Sequence, residues 1–146
     1  MSEGRLSVTV EVEIAYGHRL FNYNGKCSRL HGHNARVIVA FGPVNQLDAQ
    51  GMVQDFTSIK PLLREMLQEI DHRMLLYIAD PLARRVCDGG MVGVVRPDEI
   101  VMFDQNPTAE VIAAWIFRRA TNDFSLPVKS VTLYETEKCS ATYEKE

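Results

Sequence analysis

Between Leu6 and Tyr16, apolar residues occupy every even position and mostly polar residues occupy the odd positions. Side chains of a β-strand point in turn to its two faces, so this period of two predicts a long strand with one buried face. The even positions continue to His18, whose imidazole is therefore expected on the buried face where the strand ends. By itself, a histidine at such a place is more often part of the core than a metal ligand.

The stretch Cys27–His33 brings one thiol and two imidazoles together within seven residues. These side chains bind transition metals or transfer protons near neutral pH. In an extended chain, His31 and His33 point to the same face and can offer two neutral nitrogens to one zinc ion. Gly32 lies between them and has no Cβ, so a ligand or another part of the backbone can approach closely.

A second alternation starts in the same stretch and continues through Ala35, Val37, Val39 and Phe41. It predicts a second strand that ends at Gly42-Pro43, with the odd positions buried. His31 and His33 share these odd positions. Antiparallel pairing of the two strands brings both histidines next to His18, which predicts a metal site formed by three imidazoles.

Two amphipathic helices are predicted farther along the chain. Apolar residues with helical spacing over residues 59–70 predict the first helix, and Thr57 or Ser58 is expected to cap its start. Asn106 followed by Pro107 is a helix-start signal, so the second helix is predicted to begin there.

Residues 78–104 between the two helices show little periodicity and are interpreted as an insertion. The turn-like composition of residues 96–99 predicts a short hairpin between Met91–Val95 and Ile100–Phe103. Asp71 and His72 precede this insertion, at the end of the first helix. Taken alone, an aspartate next to a histidine is interpreted as a solvated pair.

The last part of the chain predicts two further strands. The first carries Val131, Leu133 and Glu135 on one face, and Cys139–Tyr143 form the second, which is short. A carboxylate on an apolar face costs several kcal/mol unless something pairs with it. Glu135 is therefore expected either in water at the strand end or against a ligand rich in hydrogen-bond donors. The element order favours an α+β fold with helices on one face of an antiparallel sheet.

Composition excludes several classes of protein. The 146 residues are 46% apolar and 24% charged, as expected for one soluble globular domain spanning residues 1–146. The net charge of −3 argues against a nucleic-acid-binding face, and no apolar run reaches the roughly 20 residues that span a bilayer. The chain begins without a hydrophobic signal segment, and its three cysteines do not suggest a disulfide framework. A cytoplasmic protein is expected.

Six motifs occur in one order along the chain: Ala15–Leu20, Cys27–Asn34, Asp55-Phe56, Ile70–Arg73, Asn106–Glu110 and Tyr134–Thr136. This succession resembles the 6-pyruvoyl-tetrahydropterin synthase family over roughly residues 8–143. The short Cys-x3-His-Gly-His spacing is most similar to its bacterial branch, the 6-carboxy-5,6,7,8-tetrahydropterin synthases, which make a queuosine precursor. Two features depart from the family: Tyr16-Gly17 stands where small residues are usual, and the insertion is longer than in compact members.

The resemblance implies a T-fold, an antiparallel four-stranded sheet with two helices on one face in the order ββααββ. Family members assemble through their sheets into barrels, as hexamers or other homo-oligomers, with active sites at subunit interfaces. It also implies roles for eight residues: zinc ligands His18, His31 and His33; a catalytic trio of Cys27, Asp71 and His72; and substrate-binding Glu135 and Thr108.

The substrate implied is 7,8-dihydroneopterin triphosphate, a small pterin, which is converted to 6-carboxy-5,6,7,8-tetrahydropterin with release of acetaldehyde and triphosphate. Cys27 is the expected base, because the nearby Lys26 and a zinc ion favour its thiolate. Candidates for contacting the triphosphate are Arg19, Lys26, Arg29 and Arg36. Two alternatives stay open: formation of 6-pyruvoyl-tetrahydropterin, and a non-catalytic protein in which Cys27 completes a closed structural zinc site.

Overall fold

The computed structural model of the chain describes residues 4–146. Over this range the chain forms six strands and three α-helices. In order these are β1 (Leu6–His18), β2 (His31–Val44), α1 (Phe56–Leu67), β3 (Arg73–Tyr77), α2 (Pro81–Cys87), β4 (Ile100–Phe103), α3 (Ala109–Asn122), β5 (Val128–Thr136) and β6 (Cys139–Glu144). Short 3₁₀ turns occur at Lys26–Ser28 and Pro97–Glu99.

The six strands of the described chain form one sheet in the order β4-β3-β1-β2-β5-β6. Neighbouring strands in the series β1, β2, β5 and β6 pair in antiparallel fashion, as predicted. The prediction of a purely antiparallel sheet of four strands is nevertheless wrong. Strands β3 and β4 extend the sheet beyond β1 in parallel orientation and satisfy the backbone groups at that edge.

The pairing of β1 with β2 follows the register that the two alternations predict. Tyr16 lies opposite His33, and His18 lies opposite His31. Even positions of β1 and odd positions of β2 therefore share one face, which is buried. β2 continues through Gly42-Pro43 to Val44, because the first residue of β1 pairs there, so the predicted strand end is wrong.

Helices α1 and α3 cover the buried face of the sheet with their apolar sides. Their start signals differ from those predicted. Asp55 caps α1 by accepting a hydrogen bond from the Thr57 N–H at 2.9 Å, so Thr57 already lies inside the helix. Thr108, and not Asn106, caps α3. The Asn106 side chain instead bonds both backbone groups of Phe21, which ties the two loops together.

The predicted hairpin in residues 91–103 is wrong, because residues 91–94 form turns and β4 pairs in parallel with β3. A third helix, α2, precedes these turns and lies on the other face of the sheet, so the prediction of two helices on one face is also wrong. Leu75 is part of the main core, so its neighbour Leu76 points the opposite way, yet Leu76 is fully buried. The Cys87 Sγ of α2 lies 3.9 Å from the Met102 Sδ of β4, on this second face.

A buried ion pair attaches α2 to the end of β1. Asp80 caps α2 by accepting a hydrogen bond from the Leu82 N–H at 2.8 Å, and its side chain has no exposed surface. The Arg19 guanidinium, next to His18 in the chain, donates to both Asp80 oxygens, at 2.7 and 2.5 Å. The insertion is thus fixed to the residue that follows a predicted metal ligand.

None of the helices in residues 4–146 is long and apolar enough to cross a membrane. The organisation of residues 1–146 as a single domain stays a prediction.

Candidate metal centre and active site

Three histidines meet where β1 ends and β2 begins. Each of His18, His31 and His33 offers one nitrogen, and these atoms all lie within 4.8 Å of one another. The Nε2 atoms of His18 and His33 are 3.1 Å apart. His18 is 2% exposed, and the other two are half-buried. The antiparallel register and the shared strand face produce this cluster.

Backbone carbonyls fix the proton positions of two of these imidazoles. The Nδ1 of His18 lies 2.7 Å from the Pro107 oxygen, and the Nδ1 of His31 lies 2.6 Å from the Arg29 oxygen. Because a carbonyl oxygen only accepts, both Nδ1 atoms carry the proton and both Nε2 atoms keep a lone pair. Metal-bound histidines commonly hold their second nitrogen in this way.

The pKa of His18 is shifted below its ordinary value. Burial is the main cause, and the neighbouring His31 and His33 act in the same direction. The hydrogen bond to Pro107 and the charge of Glu135 oppose the shift without cancelling it. His18 is therefore neutral near pH 7, which is the form that binds a metal ion.

The donor set fits zinc, since three neutral imidazoles leave a fourth position for a substrate atom. Cys27 lies half-buried in the 3₁₀ turn after β1 and is not among the side chains grouped at this cluster. The closed four-ligand site considered as an alternative therefore finds no support in this arrangement.

Glu135 lies beside the histidine cluster and is 22% exposed. Its Oε1 is 3.7 Å from the His18 Nε2 and 3.8 Å from the His33 Nε2. It also accepts a hydrogen bond from the Tyr16 hydroxyl at 2.9 Å. Glu135 is thus neither free in water nor part of the core, and it lies where a molecule bound near the metal site can reach it.

Tyr16 is the residue of this site to which sequence reasoning gave no role, although it noted Tyr16-Gly17 as a departure from the family. It is 3% exposed and shares the even positions of β1 with His18, a signal that could have placed it near the cluster. Burial raises the pKa of Tyr16 far above its ordinary value, and the charge and hydrogen bond of Glu135 act in the same direction. The phenol therefore stays protonated and donates to Glu135.

The interpretation of Asp71 and His72 as a solvated pair holds for the His72 side chain but not for Asp71. Asp71 Oδ1 accepts a hydrogen bond from the Ala15 N–H at 2.8 Å and lies 3.0 Å from the His72 Nδ1. The backbone of His72 has a positive φ of 58° and donates to the Ala15 oxygen at 2.6 Å. The carboxylate is therefore fixed by β1 and orients an imidazole that is 80% exposed.

His72 does not join the histidine cluster within one subunit. It lines a groove of about 700 Å³ together with Ala15, Gly17 and Asn34, and His31 and His33 of the cluster line the same groove. Ala15, Gly17 and Asn34 lie at positions of β1 and β2 whose side chains point away from the clustered imidazoles, so residues from both faces of the sheet line the groove. His72 itself is not among the side chains that group within 4.8 Å of one another at the cluster.

The backbone of β1 approaches Gly32 closely, as predicted from the position of this glycine. A Cβ at this residue would lie 2.8 Å from the Tyr16 carbonyl oxygen, a distance that real Cβ atoms essentially never show. Glycine is therefore required between the two histidines of β2 for the strands to pair at this register.

The structure also locates the remaining predicted residues. Thr108 Oγ1 accepts a hydrogen bond from the Val111 N–H at 3.3 Å, next to the Pro107 carbonyl that orients His18. Two of the four candidates for the triphosphate have anionic partners: Arg19 pairs with Asp80, and Arg36 pairs with Glu11 at 3.2 Å. Lys26 and Arg29 stay predictions.

Comparison with known proteins agrees with this fold and site. The 6-pyruvoyl tetrahydropterin synthase family matches residues 7–146. The probable 6-carboxy-5,6,7,8-tetrahydropterin synthase of Halobacterium salinarum is 36% identical over 135 residues, which cover 89% of this chain and 81% of that protein. The 6-carboxy-5,6,7,8-tetrahydropterin synthase of Rickettsia conorii is 32% identical over 139 residues, covering 92% and 96%.

Solved structures show the same architecture. An uncharacterised protein from Wolinella succinogenes superposes with a TM-score of 0.77 at 26% identity, covering 97% of this chain and 99% of that one. The 6-pyruvoyl tetrahydropterin synthase of Caenorhabditis elegans superposes with a TM-score of 0.69 at 22% identity, covering 100% and 99%. The second likeness shows the T-fold alone.

A T-fold sheet with three imidazoles gathered at the end of its central strand pair defines a class of pterin-processing enzymes. The chain belongs to the 6-pyruvoyl tetrahydropterin synthase family. It is a lyase, and its cluster of three histidines can hold a metal ion.

Replacing His31 with alanine is expected to remove most of the bound metal, because two imidazoles form a poor zinc site. Elemental analysis of the purified protein measures this loss. His72→Ala is the matched control and should keep the wild-type metal content, since His72 is not among the three clustered histidines. Full metal retention in His31→Ala would contradict the assignment of the cluster.

Proposed function

We propose that the chain is a zinc-dependent lyase that converts 7,8-dihydroneopterin triphosphate and water into 6-carboxy-5,6,7,8-tetrahydropterin, acetaldehyde and triphosphate. The product would serve the synthesis of queuosine and related 7-deazapurines. The observation that carries the proposal is the cluster of His18, His31 and His33 beside Glu135. Relatives named 6-carboxy-5,6,7,8-tetrahydropterin synthase, at 30–36% identity over most of the chain, support the choice of product.

In this proposal His18, His31 and His33 hold the zinc ion. When bound, the ion supplies a Lewis acid that polarises the oxygens of the substrate side chain and makes the neighbouring protons more acidic. Cys27 acts as the base that removes such a proton. His72, oriented by Asp71, transfers protons on the opposite side of the substrate.

Glu135 anchors the pterin ring. Its two oxygens can accept parallel hydrogen bonds from the 2-amino group and the adjacent ring N–H, a geometry that suits a carboxylate. Its 22% exposure allows such contact from the side away from the core. Thr108, whose hydroxyl can donate while its oxygen caps α3, is the second substrate-binding residue.

The site is completed between subunits of a homo-oligomer, either a hexamer or another T-fold barrel. The observation that supports this arrangement is that His72 is not among the side chains grouped at the histidine cluster of its own chain, although it lines a groove that reaches His31 and His33. A neighbouring subunit can present its Asp71 and His72 to the cluster. The cytoplasmic location expected from the sequence belongs to the same proposal.

Product analysis tests the reaction. Metal-loaded protein is incubated with 7,8-dihydroneopterin triphosphate, and the pterin, acetaldehyde and triphosphate are measured, with His31→Ala protein as the control for spontaneous decay. Equal amounts of acetaldehyde and triphosphate are expected. Triphosphate without acetaldehyde would indicate 6-pyruvoyl-tetrahydropterin instead, the product that the family's name suggests. Release of neither product above the control would contradict the proposed activity.

A further inference from the structure

Within residues 4–146, the Glu135 side chain accepts one hydrogen bond, and the Tyr16 hydroxyl donates it. The two residues lie on strands β1 and β5, which β2 separates, so the bond crosses the centre of the buried face. A buried phenol needs a hydrogen-bond partner, but a partly buried carboxylate is a costly one unless its remaining lone pairs also find donors. The contact therefore suggests a role beyond packing.

The hydrogen bond selects one oxygen of the carboxylate. Tyr16 donates to Oε1 at 2.9 Å, and the same oxygen is the one nearest to the Nε2 atoms of His18 and His33. Oε2 accepts no hydrogen bond from the described residues. The terminal torsion of a glutamate is broad, so without this bond the carboxylate plane would be poorly defined.

Fixing Glu135 also keeps it available for a ligand. A carboxylate is itself a good zinc ligand, and Oε1 lies less than 4 Å from two imidazole nitrogens of the cluster. The phenol competes for Oε1 and holds it in place. Oε1 keeps a second lone pair and Oε2 keeps both, so the carboxylate can still accept two parallel N–H groups.

We propose that Tyr16 is a positioning residue that orients the Glu135 carboxylate for recognition of the pterin ring. The inference rests on the proposed function, because it assigns Glu135 a pterin ligand. Tyr16 contacts the rings of His18 and His33, with centroids 5.2 and 5.8 Å away, so its ring is packed in one orientation. A preorganised carboxylate binds with a smaller loss of side-chain freedom.

Tyr16→Phe removes only the hydroxyl and is the test. The dissociation constant for neopterin, measured by quenching of its fluorescence, is expected to rise about tenfold, as for loss of a hydrogen bond to a charged group. The KM for 7,8-dihydroneopterin triphosphate should rise similarly, with kcat changed much less. Metal content and melting temperature should match the wild type, which a merely structural role for the phenol would not predict.

Tyr143→Phe is the matched control, since it removes a phenol on β6 that has no contact with Glu135 among the described hydrogen bonds. It should bind neopterin as the wild type does. A double-mutant cycle tests whether Tyr16 acts through Glu135. If it does, Tyr16→Phe should cause no further loss of neopterin affinity in a Glu135→Gln background. A full additional tenfold loss there would overturn the inference.

The outcomes separate this inference from the proposed function. Wild-type protein that binds no neopterin contradicts the proposed function, and this inference with it. Wild-type protein that binds neopterin, with unchanged affinity in Tyr16→Phe, contradicts only the role of Tyr16. Should Tyr16→Phe fail to fold, a crystal structure of the wild-type protein with neopterin decides. The Tyr16–Glu135 bond is expected to persist there, and a phenol turned away from a pterin-bound Glu135 would refute the inference.

Discussion

Replacing Cys27 with serine is expected to abolish most turnover while leaving the metal content and the melting temperature unchanged. Serine is close in size to cysteine but is a far poorer base. General-base catalysis typically contributes about 10²–10⁴-fold, so the loss of kcat should fall in that range. The metal should stay because Cys27 is not part of the histidine cluster. Steady-state kinetics, elemental analysis and thermal unfolding of the same preparation measure the three quantities.

Cys139→Ser is the control, because Cys139 is an exposed thiol on β6 and has no assigned role. It should keep wild-type activity and metal content. Loss of zinc together with partial unfolding in Cys27→Ser would instead favour a closed structural site, since structural zinc contributes to the free energy of folding. The catalytic trio of Cys27, Asp71 and His72 would then be abandoned.

Replacing Arg19 with methionine is expected to lower the free energy of unfolding by about 3–5 kcal/mol, the usual cost of leaving a buried charge without its partner. Asp80 has no exposed surface, and both of its oxygens accept hydrogen bonds from Arg19. Methionine preserves most of the side-chain volume and removes the cation. Urea denaturation at matched protein concentration measures the change, because the stability of the proposed oligomer would depend on concentration.

The destabilisation should depend on pH. Burial alone would raise the pKa of Asp80, but the hydrogen bonds and charge of Arg19, with the Leu82 N–H, hold it below its ordinary value. A lowered pKa stabilises the fold above the unfolded value of about 4, and this stabilisation is lost as the pH falls through the folded value. Without Arg19, burial should raise the Asp80 pKa, so Asp80 of the variant takes up its proton at a higher pH than in the wild type. The difference between wild type and Arg19→Met should therefore be largest near neutral pH and shrink steadily as the pH is lowered.

Arg96→Met is the control for this prediction. Arg96 pairs with Asp98 at 3.3 Å, but the two side chains are 74% and 72% exposed. Such a surface pair contributes about 0–1 kcal/mol, so little change in stability is expected. Equal effects of the two substitutions would show that the Arg19–Asp80 pair does not hold α2 against β1.

The histidine cluster was predictable because its position depends on local rules. Alternation along β1 and β2 fixes which side chains share a face, and antiparallel pairing of these consecutive strands puts His18 opposite His31. The helices α1 and α3 were predictable for a similar reason, although their first residues were not. Asp55, Thr57 and Ser58 are all good capping residues, and only the packing of the helix decides which is used.

Strands β3 and β4 could not be predicted from periodicity. Leu75 and Leu76 are both buried because one faces the main core and the other faces α2, so the strand shows no alternation. The four residues of β4 pair with β3 only after the chain has passed through α2. The start of α2 did have a signal, since Asp80 followed by Pro81 is a cap and a first helical residue.

Contacts between strands that are far apart in the sheet also could not be predicted from the sequence. The bond between Tyr16 and Glu135 depends on β2 pairing with both β1 and β5, and on the register that places Arg36 opposite Tyr134. Parity alone showed that Glu135 faces the core side. Only the assembled sheet shows that its carboxylate meets a phenol and two imidazoles there.

The central claim is that one active site combines the histidine cluster of one subunit with Asp71 and His72 of another. Hybrid oligomers of two inactive variants test it most directly. His31→Ala lacks the metal site and keeps His72, whereas His72→Ala keeps the metal site. The two chains carry different affinity tags, are co-expressed, and are purified through both tags in succession.

Each variant alone should be nearly inactive, and the hybrid should regain about a quarter of the wild-type turnover, since half of the clusters are intact and half of these meet an intact His72. Homo-oligomers carrying both tags on a single variant are the controls for the assembly procedure. A hybrid that stays as inactive as its parents, although it contains both chains and metal, would contradict a site shared between subunits.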